Sequence, residues 1–272
     1  MTWQRYEIVF QLLSPLHIGW RKTGNLQQTR GYLPGKNLWA ALTARLTRTA
    51  SNGANATAYQ AMGDLLQEHF RFTYFYPALQ DGNNFTPHYP WQDDFAYHFL
   101  DSYASTALNY PNQSAADGLL HETEFIAPRT RTNQLVYLTG SFYVRPTVPS
   151  DLANWQNALH KLQFGGEQGY GWGQVQLAVQ PLVGHPITGA PQGEWVKETK
   201  GDRVLYRSTA HLITDNITNV TGPVEPLIGW ERNHEPSGGT KWRLSSPTIC
   251  YAPGAKSDLS TGFMIGHYGI WK

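Results

Sequence analysis

The chain has 272 residues and 40% apolar residues, enough to bury a core in one large domain or in two small units sharing an interface, the arrangement preferred here. Its 21 Lys and Arg against 20 Asp and Glu leave a net charge of +1, which excludes an overall attraction to polyanions. A single cysteine, Cys250, excludes an intrachain disulfide and a cysteine-built metal cluster, and no apolar run approaches the roughly 18 residues of a membrane span.

The opening MTWQRYEIVFQLL carries an early acid and an alternating pattern. It lacks a basic stretch followed by an apolar run, so no signal peptide is expected, and a reducing, cytoplasmic location fits. In the same stretch Tyr6, Ile8, Phe10 and Leu12 alternate with Glu7, Val9 and Gln11, which predicts a first strand. After Pro34 and Gly35, residues Leu38, Ala41, Leu42, Arg45 and Leu46 fall at helical spacing over 37–49, with Asn37 as candidate N-cap. A second helix is expected over 56–69, carrying Tyr59, Met62, Leu65 and Leu66. The aromatic run FRFTYFY before Pro77 then reads as the second strand.

Residues 78–118 are rich in Asp, Asn, Gln, Pro and Tyr without steady periodicity. They read as part of an acidic surface insertion at about 78–124, with a short helix near 95–102. LVYLTGSFYV (135–144) is the third strand. Ser150 then opens a helix whose Leu152, Trp155, Leu159 and Leu162 repeat on one face. A glycine-rich stretch, FGGEQGYGWGQVQL, follows from Phe164, and QVQLAVQ (174–180) alternates as the fourth strand. The order βαββαβ predicts an α+β, ferredoxin-like unit over 1–180 with two helices on one face of an antiparallel sheet. PLVGHPITGAPQG, from Pro181, reads as a linker. The remainder, 181–272, reads as a strand-rich extension or a degenerate second ferredoxin-like half, with candidate strands at 203–214, 241–250 and 263–271.

Charge is unevenly placed along this order. Residues 1–48 hold seven basic residues against Glu7, a local 7 − 1 = +6, whereas 81–124 hold seven acids and no Lys or Arg. Such asymmetry aims one face at a polyanion and another at a basic partner, unless the charges mix on folding.

The glycine stretch is not a dinucleotide fingerprint, because it leaves a helix and enters a strand, and its spacing is Gly-x-Gly-x-Gly at Gly169, Gly171 and Gly173. No triphosphate P-loop motif is present either. Two readings stay open for it. Gly165, Gly166, Gly169, Gly171 and Gly173 bring backbone N–H groups to a phosphodiester while Tyr170 and Trp172 stack on bases, or the loop is a helix C-cap followed by a tight turn. Arg21, Lys22, Lys36, Arg129 and Arg131 are candidate phosphate ligands for an irregular single strand, each with a solvated surface charge as its plain alternative. His17 and His121 are fallback candidates for a general base on a ribose hydroxyl, or else packing residues. HETE (121–124) lacks the two-histidine helical spacing of zinc hydrolases, so no metal or other cofactor is expected.

Three segments together resemble the RAMP superfamily of CRISPR-associated RNA-binding proteins. They are SPLHIGW followed by GYLPGKNLWAALTARL, then HETEFIAPRTRTNQLVYLTGSFYV, then LHKLQFGGEQGYGWGQVQL. The likeness covers roughly residues 6–180, with a weaker echo in FMIGHYGIWK that places His267 in a second, vestigial loop. It implies ferredoxin-like units with a glycine-rich loop before the last strand, and one of three roles. Target-cutting backbone subunits use a loop Asp for which no matching Asp is found here. Processing endoribonucleases place the glycine loop near the C-terminus, which this chain does not. FYPALQDGNNFTPHYPW is most similar to the subgroup that caps the effector filament. The resemblance therefore implies a non-catalytic type III subunit, part of a ribonucleoprotein in antiviral defense. Such a subunit grips the crRNA five-prime handle through His17 and the residues above. Its partners would be crRNA, RAMP backbone subunits and the large signalling subunit, some of them meeting the acidic insertion.

Overall fold

The protein is described by a computed structural model covering residues 1–50, 56–200, 203–215, 217, 219–234, 240–258, 260 and 262–272. In chain order the first part comprises β1 (Thr2–Leu12), β2 (Gly19–Thr23), β3 (Leu26–Thr29), α1 (Gly35–Ala50), α2 (Ala56–His69), β4 (Phe70–Phe72), β5 (Tyr76–Asp81) and β6 (Asn84–Pro87). It continues with α3 (Phe95–Phe99), β7 (Leu100–Ser105), β8 (Leu108–Asn109), β9 (Ser114–Ala115), β10 (His121–Ile126), β11 (Tyr137–Val144), α4 (Trp155–Ala158), β12 (Val175–Leu177) and β13 (Leu182–Thr188).

The main sheet runs β12-β1-β11-β5-β6, with β4 also paired to β11 and β13 to β1. In terms of the four expected strands this is fourth, first, third, second, all antiparallel, the ferredoxin-like order. The period-two pattern of β1 explains why. Ile8, Phe10 and Leu12 enter one core with Leu38, Leu42 and Leu46 of α1 and with Trp155 and Leu159 after β11. Inside α1 the buried threonines satisfy their hydroxyls locally. Thr43 Oγ1–H donates to the Trp39 carbonyl and Thr47 Oγ1–H to that of Thr43, each at 2.7 Å. The helix starts earlier than its pattern suggests, since Asn37 N–H already donates to Pro34 O; Asn37 lies inside the first turn and is not the cap.

Two expected elements are interrupted. FRFTYFY forms two strands, β4 and β5, because residues 73–75 step out of register opposite Ser141 and Gly140. Thr73 N–H donates to Ser141 O (2.9 Å), and Ser141 N–H returns a bond to Thr73 Oγ1 (2.8 Å). The step turns the Phe75 ring into the core between Phe10 and Phe142, at centroid distances of 6.1 and 5.8 Å. Gly140 makes the room, since a Cβ there would lie 2.2 Å from that ring. The helix expected from Ser150 is likewise broken into a 3-10 turn (Ser150–Leu152), α4 and a second 3-10 turn (Leu159–Lys161), and Ser150 makes no side-chain cap. Its apolar face still points inward, with Leu152, Trp155, Leu159 and Leu162 buried.

The acidic insertion is more regular than its composition suggests. Its α3 anchors Phe95 and Phe99 in the core, and its strands join residues 19–29 in a second sheet ordered β2-β3-β10-β7. β8 and β9 pair with each other in the connection between β7 and β10. The stretch read as a linker after Pro181 instead supplies β13, which extends the main sheet along the outer side of β1.

The last part is strand-rich, with no α-helix among the described residues. It comprises β14 (Val196–Lys200), β15 (Arg203–Arg207), β16 (Leu212–Ile213), β17 (Val220–Thr221), β18 (Val224–Leu227), β19 (Trp230–His234), β20 (Thr240–Leu244), β21 (Thr248–Tyr251) and β22 (Lys256–Ser257). The candidate strand at 263–271 instead makes isolated bridges, Met264 to Gln192, Trp271 to Leu212 and Ile265 to Trp271 across a 3-10 turn, His267–Gly269. These elements cover the sheet face opposite the helices. Trp3, Tyr74, Tyr76 and Tyr143 form a second core there with Leu212, Ile265 and Trp271. No helix of the described residues is long and apolar enough to cross a membrane.

Gly140→Ala is expected to displace Phe75 and destabilise the fold by about 1–3 kcal/mol. Urea denaturation checks this: the midpoint should fall while the helical circular dichroism of the native state is kept.

Candidate nucleic-acid interface

The glycine loop closes on itself and is seated on the segment leaving β1. Phe164 N–H donates to Gly173 O (2.9 Å), Gly173 N–H to Pro15 O (2.7 Å) and Gly166 N–H to His17 O (2.9 Å). Gly165 and Gly173 sit at φ +77° and +75°, and a Cβ would come within 2.3 Å of His17 O or 1.8 Å of Phe164 O. These two glycines serve contact between chain segments, where no side chain fits. The amides of Tyr170, Gly171 and Trp172 are also used inside the loop, by Glu167 O and Gln168 O. The inner half is therefore a clamped turn and supplies few donors to a ligand. At the outer tip the N–H groups of Gln168 and Gly169 have no acceptor among the described residues, and Gly169 is open on its Cβ side.

The two aromatic residues of the loop divide. Tyr170 is 84% exposed, a free stacking surface. Trp172 is half-buried, its ring edge-on to Phe125 of β10 at 5.1 Å, so it ties the loop to the second sheet. His17 makes the same connection from below. It is buried, and its Nδ1 lies 2.7 Å from Glu124 O, which makes Nδ1–H the donor and turns the other edge of the ring toward Gly19 and Gly166.

Beyond His17 the surface runs into a cavity of about 370 Å³ between the ferredoxin-like unit and the C-terminal strands. Ile18 and Gly19 form its near wall, with Arg30 and Lys36 among the lining cations and Tyr268 opposite; none of the lining residues is acidic. Lys36 Nζ lies 5.5 Å from the Tyr268 ring, with no carboxylate within 4 Å among the described residues. Arg21 and Lys22 stand exposed on β2, Arg21 stacked over Trp20 at 3.6 Å. Gly173 and Gly166 thus bond to the Pro15–His17 segment, and the next two residues, Ile18 and Gly19, line the cavity together with Lys36.

Other candidates lie elsewhere. Arg129 and Arg131 occupy the turn before β11, where Arg129 Nη1 donates to Asn133 and Arg131 Nε to Tyr97 O (2.9 Å). Among the described residues no contact links them to the glycine loop. His121 is exposed, three residues from Glu124 along β10, or roughly 10 Å from the His17 partner. Both its ring nitrogens are engaged, by Ser105 Oγ and Leu119 O. His267 is exposed at the start of the C-terminal 3-10 turn, directly before Tyr268 of the cavity wall, and is not itself among the lining residues. Among the described residues no group of three or more His, Cys, Asp or Glu could hold a metal ion.

Sequence reasoning missed the polar chain behind the cavity, because its members are far apart in the chain and none belongs to a motif. Arg30 holds Glu225 through both oxygens (2.7 and 3.2 Å), His211 Nε2 approaches Glu225 Oε1 at 2.6 Å, and Tyr74 O–H meets His211 Nδ1 at 2.7 Å. Burial opposes ionisation of Glu225, but the hydrogen bonds from His211 and Arg30 outweigh it and hold the carboxyl well below the usual range. Burial pushes the His211 pKa down, the Glu225 hydrogen bond opposing; the neutral ring then donates from Nε2 and accepts the Tyr74 hydroxyl at Nδ1. The chain fastens β18 and the His211 segment to the first unit.

No protein-family model matches the sequence, and no curated protein matches it. Among the solved chains similar in backbone, three serve as examples. One comes from the type III-B Cmr-beta complex bound to cognate target RNA and AMPPnP, with TM-score 0.47, 11% identity, 92% of this chain covered and 85% of that one. Another is from the same complex bound to cognate target RNA, with TM-score 0.45, 10% identity and coverage of 92% and 86%. A third is from its apo state, with TM-score 0.41, 9% identity and coverage of 64% and 96%.

Glu225→Ala leaves Arg30 and His211 without their shared partner. A loss of about 2–4 kcal/mol is expected, less than for a fully buried pair because the Glu225 side chain keeps 19% of its surface. The pH dependence has a definite sign. A histidine whose folded pKa is depressed stabilises fully above its unfolded value of about 6.5, and that contribution is lost as pH falls below it; Glu225 follows the same direction below the ordinary carboxylate range. Melting temperature measured from pH 8 to pH 4 should decline from about pH 6.5 in the wild type, and His211→Asn should remove part of that decline. Parallel curves would exclude His211 as the group responsible.

Proposed function

We propose that the chain is a non-catalytic RNA-binding subunit of a type III CRISPR effector complex, gripping the five-prime handle of the crRNA and capping the filament of backbone subunits. The observation that carries this is the continuity of the glycine loop, His17 and the acid-free cavity holding Lys36, in a chain whose motifs resemble the RAMP superfamily. A single-stranded RNA end needs a stacking surface, cations and a concave wall, and Tyr170, Lys36 with Arg21 and Lys22, and the cavity are suited to supply them. Arg129 and Arg131 would meet the strand further along, or a neighbouring subunit. The arm formed by β7 to β10 exposes Tyr103, Leu108 and Tyr110 beside its acids, a surface suited to the protein neighbours of such a filament, the first backbone subunit or the large signalling subunit.

Binding of repeat-derived RNA by the purified chain in metal-free buffer tests the reading. Intact RNA should remain bound, with affinity falling as salt rises. Tyr170→Ala should weaken binding by about 1–3 kcal/mol for a stacked base. Lys36→Ala should lower the magnitude of the salt slope by about one. Site-specific cleavage abolished by His17→Ala or His121→Ala would replace the capping role by that of a processing endoribonuclease. Cleavage of bound target RNA would point instead to a backbone subunit.

A further inference from the structure

At the opposite end of β1 from the glycine loop, three cations share a hollow. Arg71 lies on β4, in register with Tyr143 of β11, and Arg145 stands two residues after Tyr143, directly beyond the end of β11; both point to the sheet face away from the helices. Both guanidinium groups lie over the buried Trp3, with Cζ 4.0 Å from the ring for Arg145 and 5.2 Å for Arg71. A cavity of about 340 Å³ opens there, lined by both arginines, Trp3, Met264 and Lys272.

The donors of this cluster are largely unused. Arg71 Nη1 caps the end of α2 by donating to the carbonyls of Gln67 and Phe70, and no partner engages its Nε or Nη2 among the described residues. Besides its stacking on Trp3, the Arg145 side chain makes one hydrogen bond among the described residues, from Nη2 to the thioether of Met1 at 3.3 Å, and a thioether is a weak acceptor. No carboxylate lies within 4 Å of Arg71, Arg145 or Lys272 among the described residues. Mutual repulsion among the cations adds to the effect of burial. Burial and then Arg145 lower the Arg71 pKa, and burial, Arg71 and Lys272 lower that of His267.

We propose that this hollow is an anion site that takes a phosphate group. Two planar guanidinium forks with free N–H donors, converging beside an ammonium, match a tetrahedral oxyanion in both charge and hydrogen-bond geometry. Trp3 is the platform that holds the forks in place; being buried, it does not itself receive a base. The site is separate from the glycine face, so it takes either a further phosphodiester of a bound RNA or the phosphate of a small molecule.

Isothermal titration of the full chain at constant ionic strength distinguishes these sources. The probes are inorganic phosphate, adenosine monophosphate and a short uridine oligonucleotide, each against Lys36→Ala protein, in which the cleft is weakened, and against Lys36→Ala combined with Arg145→Gln. Arg145→Gln should weaken the phosphate-bearing probes by at least about tenfold, the loss of a charge-assisted bidentate contact. Weakening of the oligonucleotide alone assigns the site to RNA, and equal weakening of all three assigns it to small phosphates. Arg71→Gln also removes the α2 cap, so Lys272→Gln, on the chain's last strand-like segment, serves as the second variant and should weaken the same probes by a smaller factor. Unchanged affinity for every probe in both Arg145→Gln and Lys272→Gln would overturn the proposal. So would a polyglutamate peptide that binds as tightly as the oligonucleotide with the same dependence on Arg145.

Discussion

Everything in this molecule depends on β1, which is buried along its helix face and, at Trp3 and Val9, on its other face as well. Its even residues Ile8, Phe10 and Leu12 meet the helices, while Trp3 and Val9 enter clusters on the other side. A ferredoxin-like sheet with a polar outer face could stop there. Here the outer face carries Trp3, Tyr74, Tyr76 and Tyr143, and such an aromatic surface must be covered. The C-terminal strands cover it, and the sheet face is thereby lost as a platform for stacked bases. Any ligand surface is displaced to the ends of the strands, which is where the glycine loop and the Lys36 cavity lie.

The covering half is not held by apolar contact alone. Arg30, Glu225, His211 and Tyr74 form one hydrogen-bonded chain across the junction, with Trp20 Nε1–H donating to the other oxygen of Glu225 at 3.1 Å. A buried ionic chain contributes less net stability than its contacts suggest, because desolvation offsets most of the attraction. Its effect is on geometry. With each donor matched to one acceptor, the two halves meet in one orientation, and the cavity between them keeps one shape.

The ferredoxin-like unit was legible because its strands alternate and its helices repeat over many residues. α2 matches its expected limits of 56–69, and the 4-1-3-2 strand order follows the βαββαβ pattern. What escaped had physical reasons. β4 and β5 read as one strand because the step at Thr73–Phe75 is created by Gly140, more than sixty residues away in sequence. β7 to β9 pair through backbone groups while their side chains stay largely exposed, so no apolar period marks them. β13 contains Pro186 and Gly184, which suit an edge strand as well as a linker. The glycine loop was legible as a special backbone but not as a clamped one. Its partners, Pro15 and His17, are brought to it only by the sheet. Arg30 and Glu225 stand 195 residues apart and carry no motif.

Folding also redistributes the charge asymmetry of the chain. Arg21 and Lys22 lie on β2 at one edge of the second sheet, and Asp101 and Glu122 lie on β7 and β10 toward the other, so the basic and acidic segments become two edges of one arm. Arg30 is consumed by Glu225, which is held ionised and takes both of its nitrogens. Of the basic residues near the cavity, Lys36, Arg21 and Lys22 are then the ones with no carboxylate within 4 Å among the described residues. A phosphate chain following the potential would be drawn from the β2 edge past His17 into the cavity, and repelled from the β7 edge. The same arithmetic gives the arm two unlike edges. Its basic edge is joined to the glycine loop through the His17–Gly19 segment, whereas its acidic edge, across the second sheet, carries the exposed Tyr103.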